Sequence, residues 1–383
     1  MQTVIDKQAS QAGNCAPVSP VAYLRKGNPI SQTLRVGVVG LGRAGTFFHC
    51  RPIREHTRFD LVAVSDLRPE VSGHLAREYG CRHHDKPADL FKDPEIDLAV
   101  LAVPTRDHAA LAHEAIARGI PILIEKPFAS SSFEARRIFE AGEQAGVPVF
   151  AYHNRRFDPD VLLLKNIIDS GVLGEIVKVS IHLHSYTRRR DWQTLRSMGG
   201  GALANWGAHA IDWCFHLFGP DLVLDWAFLY QVLNPGDAED AFLLGLSHGK
   251  TSIQIEYLNC AARSLPKWHV VGRCGTVVSD GQKFIVHHCD PTRLTPIETD
   301  DSTASDGSYG IKEDLGWTEQ ILDWEHWDNC PRFLDALHAH IAHGEPAPIN
   351  PEDVIAQIRL MEEIRAHAEI RNLQRNPTQP ASR

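Results

Sequence analysis

The 383-residue sequence contains no apolar run long enough to cross a bilayer, no Cys-x-x-Cys pair and no excess of positive charge. The first absence argues against a membrane-spanning helix. The second, with eight cysteines scattered from Cys15 to Cys330, argues against a disulfide framework or a cysteine-based zinc site, and makes a reduced, cytoplasmic setting the expectation. The third follows from 39 Lys plus Arg against 48 Asp plus Glu, a net charge of −9. Such a chain is a poor general binder of nucleic acid or of anionic membrane. Residues 1–33 lack the continuous apolar centre of a secretory signal and read as a polar, loosely ordered arm. Hydrophobic residues at 43% and charged residues at 23% are enough for a full core. The length suggests two or three domains of about 150 residues each.

From Leu34 the pattern becomes regular. Short apolar runs at 34–39, 61–64, 98–103, 120–124 and 147–151 alternate with helical stretches such as 108–118 and 133–145. That rhythm predicts βαβ units and a parallel sheet covered on both faces. After about residue 155 the texture changes. Residues 175–186 alternate, with Val177, Val179, Ile181 and Leu183 on one face and Lys178, Ser180, His182 and His184 on the other, as in a half-exposed strand. Strand-rich runs follow at 222–232, 240–248, 251–258 and 268–271, with hairpin turns expected at 248–250 and 273–275. Strands in succession predict an antiparallel sheet and an α+β unit with one open face, and a homo-oligomer, dimer or tetramer, is the simplest cover for that face. Residues 286–308 read as a surface loop, and 351–372 as a helix opened by Pro351. His182 and His184 share a strand face, but no third ligand of matching spacing is evident, so no metal site is expected.

Three motifs carry chemistry. Gly40-Leu41-Gly42-Arg43-Ala44-Gly45 directly follows an apolar strand and opens a helix-like stretch, the context in which this glycine spacing binds a dinucleotide pyrophosphate. Asp66 ends the next apolar run, 21 residues after Gly45. A carboxylate there pairs with a ribose diol and favours NAD, while Arg68 leaves NADP open. Glu125-Lys126-Pro127 ends a strand of the same sheet, where ligands of open α/β sheets bind. An ammonium there can stabilise an oxyanion, and Glu125 can orient it. Gly199-Gly200-Gly201 marks a backbone that approaches something closely or bends sharply, and it runs into a helix with Asn205 and His209 four residues apart. Histidine can exchange a proton near neutral pH. Taken alone, Lys126 reads as an ordinary strand-end lysine, and His209 equally as a hydrogen-bonded core histidine or as a proton acceptor. Residues 186–193, with Arg188, Arg189, Arg190 and Trp192, read either as a solvated loop or as a substrate contact, the indole stacking on a sugar and an arginine meeting a carboxylate or phosphate.

These motifs, with Asn154-Arg155-Arg156-Phe157-Asp158-Pro159 and the closing Pro348-Ile349-Asn350-Pro351-Glu352-Asp353, occur in one order over residues 34–372. In this the chain resembles the Gfo/Idh/MocA family of NAD(P)-dependent sugar and polyol oxidoreductases. The resemblance implies a Rossmann domain over 34–152 with a doubly wound parallel sheet. It implies an α/β substrate and oligomerisation domain over 153–350 with a large, open, mostly antiparallel sheet, and a C-terminal helix and tail over 351–383. It puts Lys126 at the site of hydride transfer and makes His209 the general base. It directs Gly40, Gly42, Arg43, Ala44, Gly45, Asp66, Arg68, Pro104, Thr105, His108, Glu125 and Lys126 toward NAD or NADP. It directs Lys126, Asn154, Arg155, Asn205 and His209 toward a sugar or cyclitol, and the loop reading above adds Trp192 as a candidate contact. One departure stands out: many family dehydrogenases carry Asp four residues before the histidine, where this chain has Asn205. An amide cannot lend negative charge to an imidazolium; Asp212, on the next helical turn, reads as structural, with partial replacement of that charge as the alternative. Two other readings stay open on sequence: a redox-neutral, NAD-dependent glycoside cleavage, and a non-catalytic nucleotide-loaded sensor.

Overall fold

A computed structural model of the chain describes residues 33–299 and 313–374. Most of the expected N-terminal arm, the end of the loop expected at 286–308 and the last nine residues of the tail lie outside the described residues. Six strands form an all-parallel sheet: β1 (Leu34–Val39), β2 (Phe59–Ser65), β3 (Arg82–His84), β4 (Leu98–Leu101), β5 (Ile122–Ile124) and β6 (Val149–Ala151), in the order β3-β2-β1-β4-β5-β6. This is the doubly wound Rossmann order, in which the order of strand addition reverses between β1 and β4. Helices α1 (Arg51–Glu55), α2 (Pro69–Tyr79), α3 (Pro87–Leu90), α4 (Thr105–Ala117) and α5 (Ser132–Ala145) connect the strands. The strand residues Val36, Val38, Ala99, Val100, Leu123 and Ile124 are fully buried, as a sheet covered on both faces requires. Helix α5 starts where Ser131 accepts the Glu134 N–H and the Glu134 carboxylate accepts the Ser130 N–H, a reciprocal cap of the orphan amides.

The second sheet has nine strands. They are β7 (Ile176–His184), β8 (Val223–Gln231), β9 (Ala241–His248), β10 (Thr251–Leu258), β11 (Trp268–Gly272), β12 (Gly275–Asp280), β13 (Lys283–His288), β14 (Thr318–Asp323) and β15 (Ile370–Asn372). Their order is β14-β13-β12-β11-β7-β10-β9-β8-β15. The sheet is mixed and mostly antiparallel, with parallel pairs β7–β10 and β8–β15. Helices α6 (Pro159–Asp169), α7 (Ala208–Phe218) and α9 (Pro351–His367) contribute Val161, Leu164, Trp213 and Met361 to its core. There Val179 and Ile181 pair with Ile253 and Ile255 on one side and with Val270 and Trp268 on the other.

Four expectations are corrected. Val177 is 53% exposed because β7 carries a bulge opposite Val271/Gly272, and one extra residue reverses the facing of what precedes it. Val286 is buried in β13 rather than in a loop; the Asp280-Gly281 step, with Gly281 at φ +61, turns β12 into β13. The terminal helix stops at His367, and Ile370–Asn372 instead extends the sheet beside β8. Finally α8 (Asn329–His343), within the stretch expected for the second domain, packs Cys330, Phe333, Leu334 and Leu337 on the first core. Helix α9 bridges both, giving Val354, Ile355 and Ile358 to one core and Leu360, Met361 and Ile364 to the other.

Candidate active site

The glycine loop follows β1 at the carboxyl edge of the parallel sheet. Gly40 holds φ +90, and a Cβ there would lie 2.6 Å from the Ala102 carbonyl oxygen. A Cβ on Gly45 would lie 1.8 Å from the Gly40 carbonyl oxygen. Both glycines therefore exist to let the loop close on itself. Gly42 differs, since a Cβ there would meet no protein atom within 4 Å, so its side faces open space that a phosphate can enter. Arg43 is exposed, and Ala44 begins a wide helical turn, Ala44–Cys50, that runs into α1. At the end of β2, Asp66 accepts the Leu41 N–H at 2.9 Å and is gripped by Arg68 through two side-chain bonds of 2.9 and 3.1 Å. Burial raises the Asp66 carboxyl, but the Arg68 bonds and the Leu41 amide outweigh it and hold the group below its ordinary range. This set fits a dinucleotide: an open glycine, the start of a helix and an ionised carboxylate at the ribose position.

Pro104 caps α4 and Thr105 opens it, directly after β4. His108 is fully buried, its ring nitrogens 3.1 Å from the Phe128 carbonyl and 2.9 Å from the Val103 carbonyl. It ties the segment after β4 to the segment after β5. Beyond β5, Glu125 is buried with one oxygen 3.0 Å from His49 Nε2, while the other accepts the Lys126 N–H at 2.9 Å. Burial raises the Glu125 carboxyl; the His49 bond and the His49 and Lys126 charges reverse that and keep it ionised. The Lys126–Pro127 peptide is cis.

Lys126 Nζ donates to Asn205 Oδ1 at 3.0 Å and to the Asn205 carbonyl at 3.2 Å. The end of β5 is thereby joined to the segment that enters α7, 79 residues later in the chain. That segment, Leu203–Gly207, is a second wide helical turn, a form that often marks functional sites. His209 follows in the first turn of α7, 7% exposed, its Nδ1 buried without a hydrogen-bond partner. Burial, and then the charges of Lys126 and Arg155, push the His209 imidazolium far below its usual range. Burial also lowers the Lys126 ammonium to about 8; Glu125 opposes this, and Arg155 and Arg189 add to it. The two groups named from sequence are thus electrostatic neighbours, an ammonium beside a neutral imidazole.

The surroundings were less legible. Asp212 is committed to Arg156, which grips it through Nε and Nη2 at 2.8–3.0 Å and also meets Asp353. It is a packing anchor and does not replace a charge at position 205. Asn154 donates to Asn329 Oδ1 at 2.7 Å, fastening the end of β6 to α8. Arg155 lies 4.7 Å over the Trp206 ring, and Trp206 neighbours the His209 ring at 6.0 Å. Trp206 is the indole beside the imidazole, whereas Trp192 is 49% exposed on the short turn Trp192–Thr194. The triple glycine approaches protein: a Cβ on Gly201 would lie 2.2 Å from Glu239 Oε1, which accepts the Leu203 N–H. Buried His49 and His153 have no sequence signal beyond their residue type; His153 keeps both ring nitrogens without a hydrogen-bond partner, 3.7 Å from Asp212.

Two family profiles match the chain. One, described as an oxidoreductase family with an NAD-binding Rossmann fold, covers residues 34–153; the other, the GFO/IDH/MocA C-terminal domain, covers 161–278. The chain is 26% identical over 352 residues to scyllo-inositol 2-dehydrogenase (NADP(+)) IolW of Bacillus subtilis, covering 88% of this chain and 95% of that protein. It is 27% identical over 259 residues to inositol 2-dehydrogenase 2 of Saccharopolyspora erythraea, covering 64% and 73%. A solved structure of the YPO2259 putative oxidoreductase from Yersinia pestis superposes with a TM-score of 0.73 at 27% identity, covering 89% and 96%.

Proposed function

The chain belongs to the Gfo/Idh/MocA family of oxidoreductases, and from that premise we propose that it moves a hydride between nicotinamide and a secondary alcohol of a sugar, sugar derivative or cyclitol. It is an NAD(P)-dependent dehydrogenase with inositol dehydrogenases among its relatives. Bound NAD(P) supplies the hydride acceptor in one direction and the donor in the other. The amides around Gly40, Gly42, Arg43, Ala44 and Gly45 take its pyrophosphate, and Asp66 with Arg68 takes the adenosine ribose. Pro104 and Thr105 line the cleft, while His108 acts at a distance by fixing the two segments it bonds.

Lys126 donates a hydrogen bond to the reacting hydroxyl oxygen and stabilises the charge that grows there. His209, held neutral, removes the hydroxyl proton. Asn205 aims the ammonium, and Glu125, steadied by His49, keeps it charged. The observation that carries this reading is the pair of hydrogen bonds from Lys126 Nζ to Asn205, which draws the sheet edge and the His209 helix to one place. The test is reduction of NAD and NADP, followed at the NADH absorbance band, against inositols, sugars, sugar acids and sugar phosphates. Lys126→Ala and His209→Ala each lose about 10²–10⁴ in turnover while still binding NADH. Wild-type turnover in either variant removes that residue from the mechanism.

Among the described residues no helix is long and apolar enough to cross a membrane, and the cysteines are free. The free thiols support the expected cytoplasmic setting. The exposed Val177, Val223, Trp226 and Ile321 of the second sheet support a homo-oligomer formed through that sheet, which light scattering on the purified protein tests.

A further inference from the structure

The triple glycine also borders a space that the reaction does not use. Between it, the last turn of α9 and the paired strands β8 and β15 lies a cavity of about 400 Å³, within the size of small-molecule pockets. Its lining includes none of the groups assigned above to cofactor or substrate. Leu229 and Ile370, partners in the sheet, give it apolar surface. Gly199 opens onto it, and a Cβ there would meet no protein atom within 4 Å. The polar lining is Arg196, Arg365, Glu239 and Glu369.

The cations here are uncommitted. Among the described residues neither the Arg196 nor the Arg365 guanidinium has a hydrogen-bond or ion-pair partner. The Arg196 backbone is nonetheless pinned, its N–H donating to Asp237 Oδ1 at 2.8 Å. Glu239 is only 4% exposed. Its Oε1 accepts the Leu203 N–H at 3.0 Å, and among the described residues no other residue hydrogen-bonds Oε2. Burial pushes the Glu239 carboxyl up, against the charges of Arg365 and Arg196. Two guanidiniums and a buried carboxyl thus line one cavity without closing into ion pairs. The space between them suits a molecule with complementary groups. A carboxylate answers guanidinium forks, and a hydroxyl or amine beside it can donate to Glu239.

We propose that this cavity is a second ligand site, which takes a small organic acid carrying a hydroxyl or amine beside its carboxylate, the acid on Arg196 and Arg365 and the donor on Glu239. Glu239 ties the site to the reaction. Its carbonyl accepts the Ala202 N–H at 2.8 Å and its side chain the Leu203 N–H, so it holds the start of the wide turn Leu203–Gly207. The same turn presents Asn205 to Lys126. The ligand is therefore an effector, acting on the turn from behind. The site does not rest on the dehydrogenase reading, and its test reads binding alone.

NADH-loaded protein is titrated calorimetrically with malate, aspartate, succinate and butane-1,2,4-triol. Malate or aspartate binds at least fivefold more tightly than succinate, which lacks the donor, and than the triol, which lacks the carboxylates. The malate and aspartate arms tell hydroxyl from amine. Arg196→Met and Arg365→Met each weaken that binding at least tenfold, with the NADH dissociation constant within twofold of wild type. In the wild-type protein, saturation slows hydrogen exchange across residues 199–207. Malate and aspartate that both bind more weakly than about 10 mM overturn the proposal. So does succinate or the triol binding as tightly as they do, binding that both variants leave intact, or exchange protection confined to segments outside 199–207.

Discussion

Replacing Gly42 by alanine separates a fold role from a cofactor role within one loop. The backbone at Gly42 is not among the positive-φ glycines, and the added Cβ meets no protein atom within 4 Å. The folded protein therefore loses nothing. The unfolded chain loses freedom, which stabilises a Gly→Ala variant by about 0.4–1 kcal/mol, so the melting temperature stays level or rises by about 4 °C at most. The methyl group instead occupies the space in front of the loop amides. Holding a pyrophosphate off one such amide forfeits a hydrogen bond to a charged group, about 1.5–3 kcal/mol, which is roughly 10- to 150-fold in the NADH dissociation constant. Gly45→Ala is the control with the opposite signature: its Cβ would lie 1.8 Å from the Gly40 carbonyl oxygen, and forced shifts of this kind cost about 1–3 kcal/mol or more of stability. Thermal melts and NADH fluorescence titrations on both variants complete the comparison. Gly42→Ala that binds NADH as wild type does would refute the placement of the pyrophosphate at this loop.

Further expectations follow from the charges. If Lys126 works as a cation, turnover falls as pH rises through about 8, where burial has placed its ammonium, and falls on the acid side only well below 6.5, where His209 becomes protonated. Asn205→Asp sets a carboxylate against Lys126 Nζ and moves the basic limb of the pH–rate profile upward by about one unit or more; an unmoved limb assigns that limb to another group. Asp66→Ala frees Arg68 from its two side-chain bonds and shifts the ratio of NADPH to NADH affinity at least tenfold toward NADPH, measured by parallel titrations; an unchanged ratio removes Asp66 from ribose recognition.

The first sheet was legible because its central strands are buried on both faces and read as unbroken apolar runs. Its edge strand β3, Arg82-His83-His84, buries little and carries no such run. The same physics hid β14, whose residues are exposed but for one, and β15, whose pairing with β8 is set by contacts 141 residues apart in sequence. The bulge at Val177 is invisible in an alternating pattern because the chain does not announce which residue the partner strand skips. In the site, Lys126 and His209 stood out because short motifs surround them. Trp206, His49 and His153 did not, because what makes each of them notable is a neighbour brought in by the fold: Arg155 above the indole, Glu125, and Asp212.

The central claim is that Lys126 and His209 act on one alcohol beside one nicotinamide ring. A crystal structure of the protein with NADH and a bound substrate or product analogue tests it most directly. The account predicts the reacting oxygen within hydrogen-bond reach of both Lys126 Nζ and a His209 ring nitrogen, about 2.6–3.2 Å, with its carbon about 3–3.5 Å from nicotinamide C4. An oxygen that meets only one of them, or a nicotinamide ring lying away from the Lys126–Asn205 contact, would contradict it.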